Sequence, residues 1–249
     1  MAETSIAWTH YTFNPWWGCT RVSPGCEHCY AEAFSHRMGH EIWGPTADRR
    51  FFGDTHWNEP LKWHRKRQQG GPKHLVFCAS MADVFEDRRD LDAPRERLWS
   101  LIESTPLLTW QLLTKRPENA LRLSPWGQDR GRQWPVNVWL GFTAESQEWL
   151  DRRWPAARAA ASWVSQFFIS AEPLVGPITL GRRAASVNWV ITGAESGHGA
   201  RPMSLDWVRS LRDECQANGI AFFHKQEIRA GRKVETPELD GRRWTEFPE

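Results

Sequence analysis

The chain has 249 residues, enough for one large domain or two small ones with an ample core. It is 40% hydrophobic and 25% charged with a formal net charge of +2, so nucleic-acid binding would have to come from local patches and not from overall charge. Five cysteines, an odd number with three of them clustered, argue against a disulfide framework and for metal binding in a reducing cytosol, hence a cytoplasmic protein. The N-terminus has no basic region followed by an apolar run, and no stretch approaches the roughly 20 apolar residues of a membrane span, so neither a signal peptide nor a membrane segment is expected.

Residues 1–14 lead into the stretch that organises the rest, a glycine- and proline-rich loop over 14–31. It carries Cys19, Cys26 and Cys29 in a C-x6-C-x2-C spacing. Gly18 and Gly25 tolerate positive φ and Pro24 pre-sets a turn, so the loop can wrap its thiolates around one point. Clustered thiolates suit zinc or an iron–sulfur cluster, and three of them leave one metal position open for chemistry where four would close it. Residues 30–38 read as a helix whose N-terminus would favour an anionic cluster or ligand. Residues 39–73 read as an irregular polar insertion containing the basic run Lys62-Trp63-His64-Arg65-Lys66-Arg67. That run is either a solvated helix face or a phosphate-contacting patch with an interleaved aromatic. The 17 tryptophans mostly serve the core; Trp16, Trp17, Trp43, Trp57 and Trp63 are those near enough to the loop or the basic run to stack on a base.

From residue 74 short apolar runs recur: Leu75-Val76-Phe77-Cys78, Leu107 to Leu113, Val136 to Leu140, Phe167-Phe168-Ile169-Ser170, Val187 to Ile191 and Ile220-Ala221-Phe222-Phe223. Helix-like stretches over 94–103, 147–161 and 204–217 separate several of them. The intervals match one strand plus one crossover helix, which predicts an α/β fold with a parallel sheet, open or closed. We expect one domain over 1–249, a partial (β/α)6 TIM-type barrel with an N-terminal cluster-binding loop, since eight units typically need about 250 residues without such an insertion. Each run ends in polar residues, and in parallel α/β folds such ends converge on the ligand, so Asp83, Lys115, Glu145, Glu172, Glu195 and Lys225 are expected to share one rim. Cys78, in an apolar run, and Cys215, on a helix, read as buried thiols. His28 lies inside the loop and His10 and His36 near it, so any of the three could complete a zinc site; His198, in Gly197-His198-Gly199, is a ligand contact or a turn residue.

A three-cysteine loop ahead of a βα repeat resembles a radical S-adenosylmethionine (SAM) enzyme, although the commonest spacing there is C-x3-C-x2-C. The motifs Phe13-Asn14-Pro15-Trp16, Ser23-Pro24-Gly25-Cys26, Cys29-Tyr30-Ala31, Ser80-Met81-Ala82-Asp83-Val84-Phe85, Leu113-Thr114-Lys115-Arg116-Pro117, Ser170-Ala171-Glu172-Pro173-Leu174 and Gly193-Ala194-Glu195-Ser196-Gly197 resemble, in order, a phage-associated three-cysteine family of unknown function grouped with that superfamily. The resemblance implies that Cys19, Cys26 and Cys29 ligate a [4Fe-4S] cluster whose open iron chelates SAM. It also implies a reductant such as flavodoxin or ferredoxin. Ser80 and Asp83 occupy the place of a motif that contacts the SAM amino group. Thr143 and Glu145 sit where a ribose- or carboxylate-binding residue would, Lys115 and Lys225 would meet the SAM carboxylate or a substrate phosphate, and Glu172 and Glu195 would make polar substrate contacts. Each can equally be a structural ion-pair partner.

The expected function is hydrogen abstraction by a 5′-deoxyadenosyl radical, with nucleic acid as the first substrate to test. One form is a DNA-repair lyase resembling spore photoproduct lyase, another a base- or tRNA-modifying enzyme. The alternative is a zinc-stabilised nucleic-acid-binding module without redox chemistry, whose fold would depend on the metal.

Overall fold

The computed structural model describes residues 4–71, 74–127 and 131–249. Residues 72 and 73 of the expected basic insertion, and residues 1–3 and 128–130 of the expected domain, lie outside them. The chain runs through β1 (Tyr11–Thr12), β2 (Trp16–Trp17), α1 (Tyr30–Arg37), β3 (Arg50–Phe51), α2 (Asp54–Trp57), α3 (Glu59–Gln68), β4 (His74–Cys78), α4 (Asp92–Ser104), β5 (Leu108–Thr114) and α5 (Ala120–Leu123). It continues through β6 (Val138–Thr143), α6 (Gln147–Ala161), β7 (Gln166–Ala171), β8 (Trp189–Gly193), α7 (Leu205–Ala217), β9 (Ala221–Arg229), β10 (Arg232–Glu235), β11 (Glu238–Leu239) and β12 (Arg242–Arg243).

Eight strands form one sheet in the order β1-β4-β5-β6-β7-β8-β9-β10. All neighbours are parallel from β1 to β9, and only β10 returns antiparallel along β9. The result is a mixed α/β fold whose mostly parallel sheet curls as a half-barrel with two free edges. The six apolar runs are the six central strands. β4, β6 and β8 are buried along their whole length, as expected of parallel strands covered on both faces. The crossovers are uneven: α4, α6 and α7 are long, whereas among the described residues β5 to β6 has a 3-10 turn over Pro117–Asn119 and the four-residue α5, and β7 to β8 a 3-10 turn over Gly181–Ser186.

The period of two along each strand divides the core. Val76, Cys78, Leu112, Leu140, Phe167, Ile169 and Val190 face the helices. Leu75, Phe77, Trp139, Phe168, Trp189, Ile191 and Phe223 face inward and pack with Trp8 into a second, mostly aromatic cluster. Its rings meet tilted or edge to face, as with Trp8 and Trp189 at 6.0 Å and Trp139 and Trp189 at 6.0 Å.

The expected irregular insertion is irregular over 39–49 and then folds as β3, α2 and α3. α3 carries the basic run, so Lys62, Arg65 and Lys66 form a solvated helix face, while Trp63 is buried and stacks on Tyr11 at 4.4 Å. The reason is register: in a run of charged residues, one apolar side chain per turn is enough to dock the helix. α3 ends at Gln68, six residues before β4 begins at His74, so its basic end lies toward the N-terminal ends of the strands. Among the described residues no helix is long and apolar enough to cross a membrane.

Candidate functional site

The inward parity of the strands continues past the aromatic cluster into polar residues. Phe168 is followed at this parity by Ser170 and then Glu172, Trp139 by Gly141 and Thr143, Leu113 by Lys115, and Phe223 by Lys225. Lys115, Thr143, Ser170, Glu172 and Lys225 open on a cavity of about 380 Å³ at the C-terminal ends of the parallel strands, with Trp8, Phe77 and Leu113 against it. Cys19, Cys26 and Cys29 line the same cavity, as do Ser80, Asp83, Lys115, Thr143, Glu172, Glu195 and Lys225. Of the expected rim residues only Glu145 does not line it.

Glu145 lies beneath the cysteine loop. Its Oε1 accepts from the Gly25 amide at 3.2 Å, and its Oε2 takes the Arg153 Nη1 at 2.5 Å. Burial pushes this carboxyl up, but Arg153, Ser23 and Lys115 outweigh it and hold it below the usual carboxylate range. Glu145 is thus an ionised anchor for the loop.

Other side chains fasten the loop from separate elements. Arg201 donates from Nη2 to the Pro24 carbonyl at 2.8 Å and to Glu195 at 2.5 Å, and from Nη1 to Glu27 at 3.2 Å. His28 Nδ1 meets Glu195 Oε2 at 2.9 Å. Burial raises the Glu195 carboxyl, yet hydrogen bonds from the Arg201 side chain and backbone and from His28 bring it down to about 2. Arg49 is 4% exposed; it donates to the Ile42, Gly44 and Ala47 carbonyls and to Thr20 Oγ1 and pairs with Glu86 at 2.8 Å. Tyr30, in the first turn of α1, donates its hydroxyl to the Ser80 carbonyl at 2.9 Å, tying α1 to the end of β4.

Cys29 is the N-cap of α1, as expected of a helix beginning behind the loop. Burial pushes its thiol up, with the amides of Glu32 and Ala31 and the Lys115 ammonium acting against the shift. Burial pushes Cys19 up to about 12 despite Arg116. Asp83 accepts from Thr114 Oγ1 at 2.8 Å, the Lys115 amide at 3.1 Å and Arg116 Nη1 at 2.9 Å, so it braces the strand end as well as lining the cavity. Lys225 pairs with Glu172 at 3.0 Å. Lys115 reaches Thr143 Oγ1 at 3.4 Å and, among the described residues, has no carboxylate partner.

Of the histidines considered for a zinc site, His28 lines the cavity and meets Glu195 through Nδ1 alone, His10 accepts from the Leu75 amide at 2.9 Å, and His36 pairs with Glu41 at 3.4 Å on the surface. Among the described residues no three His, Cys, Asp or Glu side chains converge closely enough to hold a lone ion. His198 is exposed in its turn and does not line the cavity. Cys78 and Cys215 are fully buried, and burial pushes both thiols up. Of the tryptophans considered for stacking, Trp16, Trp57 and Trp63 are core residues, Trp17 lies under the Arg50 guanidinium at 4.8 Å, and Trp43 lines the cavity.

Compared with known sequences, residues 3–248 match the family described as Protein of unknown function (DUF5131). The chain belongs to this family. No curated protein and no solved structure matches it. In this member of DUF5131 the residues that sequence reasoning missed are mainly arginines, Arg49, Arg116, Arg153 and Arg201. Arg116 stands inside a quoted strand-end motif, whereas the other three sit in no recognisable pattern.

Proposed function

We propose that the chain is a radical SAM enzyme in which Cys19, Cys26 and Cys29 hold a [4Fe-4S] cluster. The observation that carries this reading is three thiols of one loop facing one cavity at the C-terminal ends of a parallel sheet. The donor set fits the group. A cubane reaches its thiolates at wider spacing than a lone ion does, three ligands leave one iron open, and Lys115 and Arg116 supply positive charge beside an anionic cluster. A six-unit partial barrel of TIM type is the fold reading that goes with it. When bound, the cluster supplies an electron that cleaves SAM to a 5′-deoxyadenosyl radical for hydrogen abstraction.

The chain's own residues bind and orient. Lys115, the cavity cation without a carboxylate partner among the described residues, receives the SAM carboxylate, with Thr143 beside it. Ser80 and Glu172 offer polar contacts at the ends of β4 and β7. Asp83, Glu145 and Glu195 act indirectly by holding Arg116, the Gly25 turn and Arg201. Trp8 and Phe77 keep water from the inner side of the cavity. Nucleic acid is the substrate class we propose, for base modification or for lyase repair. The basic run of α3 does not support it, since it lies toward the other end of the sheet. Of the lysines lining the cavity, Lys225 is paired with Glu172 and Lys233 with Glu235, so the support is Lys115, which has no carboxylate partner among the described residues and can receive an anionic group.

Absorption and iron analysis of anaerobically purified protein test the reading. A broad band near about 400 nm that bleaches with dithionite, with about four irons per chain and 5′-deoxyadenosine formed from SAM, is the expected result. A colourless protein that carries one zinc and takes up no iron on reconstitution would replace this reading with a zinc-stabilised binding module.

A further inference from the structure

The three thiols of the loop are not equivalent. Cys19 Sγ receives a hydrogen bond from Arg116 Nη1 at 3.5 Å. The polar neighbour of Cys26 Sγ is the Ser23 hydroxyl at 3.9 Å. Arg116 is 7% exposed and held through both terminal nitrogens: Nη1 also meets Asp83 Oδ2 at 2.9 Å, Nη2 donates to the Thr20 carbonyl at 2.6 Å, and Glu86 lies 3.8 Å away. Asp83 is held in turn by Thr114 and the Lys115 amide, and Glu86 by Arg49. The guanidinium cannot swing away from the sulfur without breaking these contacts.

We propose that Arg116 sets the reduction potential of the cluster held by Cys19, Cys26 and Cys29, through its directed N–H to the Cys19 sulfur. This rests on the cluster reading above. Reduction adds one negative charge to the cluster and its sulfurs, so a fixed charged donor stabilises the reduced form more than the oxidised one and raises the potential. Two arginines and two carboxylates, Arg49, Arg116, Asp83 and Glu86, balance as a group. In the parent the group carries no net charge, so the N–H aimed at the sulfur is what sets Cys19 apart; Arg116→Gln removes that N–H together with one charge, and Arg116→Lys changes the donor while keeping the charge.

The test is the midpoint potential of reconstituted protein, titrated with dithionite and followed by electron paramagnetic resonance. Arg116→Gln is expected to shift the potential negative by the equivalent of about tenfold in the reduction equilibrium, 59 mV for one electron. Arg116→Lys keeps the charge but loses the planar fork, and is expected to fall between the two. Arg122→Gln removes an exposed arginine that pairs with Asp87 and does not line the cavity, and is expected to leave the potential near that of the parent. An unchanged potential in Arg116→Gln, or an equal shift in Arg122→Gln, would overturn the proposal. If Arg116→Gln does not fold, Arg116→Lys decides alone: a negative shift supports the role and an unchanged potential removes it. A parent protein that takes up no iron defeats the cluster reading itself. A loaded parent whose potential ignores Arg116 defeats only this inference.

Discussion

A methyl group on Gly25 would lie 2.9 Å from Glu145 Oε1 and 3.0 Å from its Cδ, where the loop rests on its anchor. Gly25→Ala should therefore lift the loop from Glu145 and Arg153, with reduced iron retention in metal analysis and a loss of about 1–3 kcal/mol in denaturant melts. Gly18 is more constrained: its φ is +111° and an added Cβ would lie 2.4 Å from the Ile42 carbonyl. Among the cysteines, Cys26→Ala should abolish iron binding and SAM cleavage, while Cys78→Ala, deep in β4, should keep both; equal iron loss in the two variants would defeat the ligand assignment. Glu195 provides a pH signature. Its carboxyl falls from an ordinary 4.5 to about 2, so the stability it contributes is fully present above about pH 4.5 and disappears as the pH falls toward 2. Glu195→Gln should flatten acid unfolding across that window, measured by circular dichroism. Strand-end position marked Glu195 in the sequence as a rim residue. What it could not mark is Arg201, because an arginine in an irregular turn follows no period.

At the scale of elements, all six apolar runs are strands, and α6 occupies 147–161 as its periodicity predicts. Wherever an apolar residue precedes the ladder, the strand starts one to two residues later than the apolar run. Val136 is 83% exposed beyond Pro135, and Val187 closes the 3-10 turn before β8. Hydrophobicity alone does not distinguish a residue in a turn from one in the sheet. The same limit hid α3, where a mean composition dominated by charge concealed Trp63 docking on Tyr11. Trp63→Ala should cost about 3–5 kcal/mol in chemical denaturation. The exposed pair Arg65→Gln/Lys66→Gln should change stability by less than about 0.5 kcal/mol and leave oligonucleotide binding, followed by fluorescence anisotropy, unchanged. A large loss of binding in that double variant would return α3 to the substrate path.

For the whole molecule, the loop is fastened to the ends of β4, β6 and β8 and to the 42–49 segment by protein contacts, not by its thiols alone. Chelator-treated protein should therefore keep its far-ultraviolet circular dichroism and one cooperative thermal transition. Collapse of both on metal removal would mean that metal supplies the fold, as in zinc-dependent modules. The aromatic cluster on the inner face has another consequence. Trp8, Phe77, Trp139, Phe168, Trp189 and Phe223 fill the hollow of the half-barrel, so the cavity has a floor below the thiols. A vessel with a floor imposes an order on its traffic: whatever sits deepest must enter first and depart last, and the later arrival seals it in.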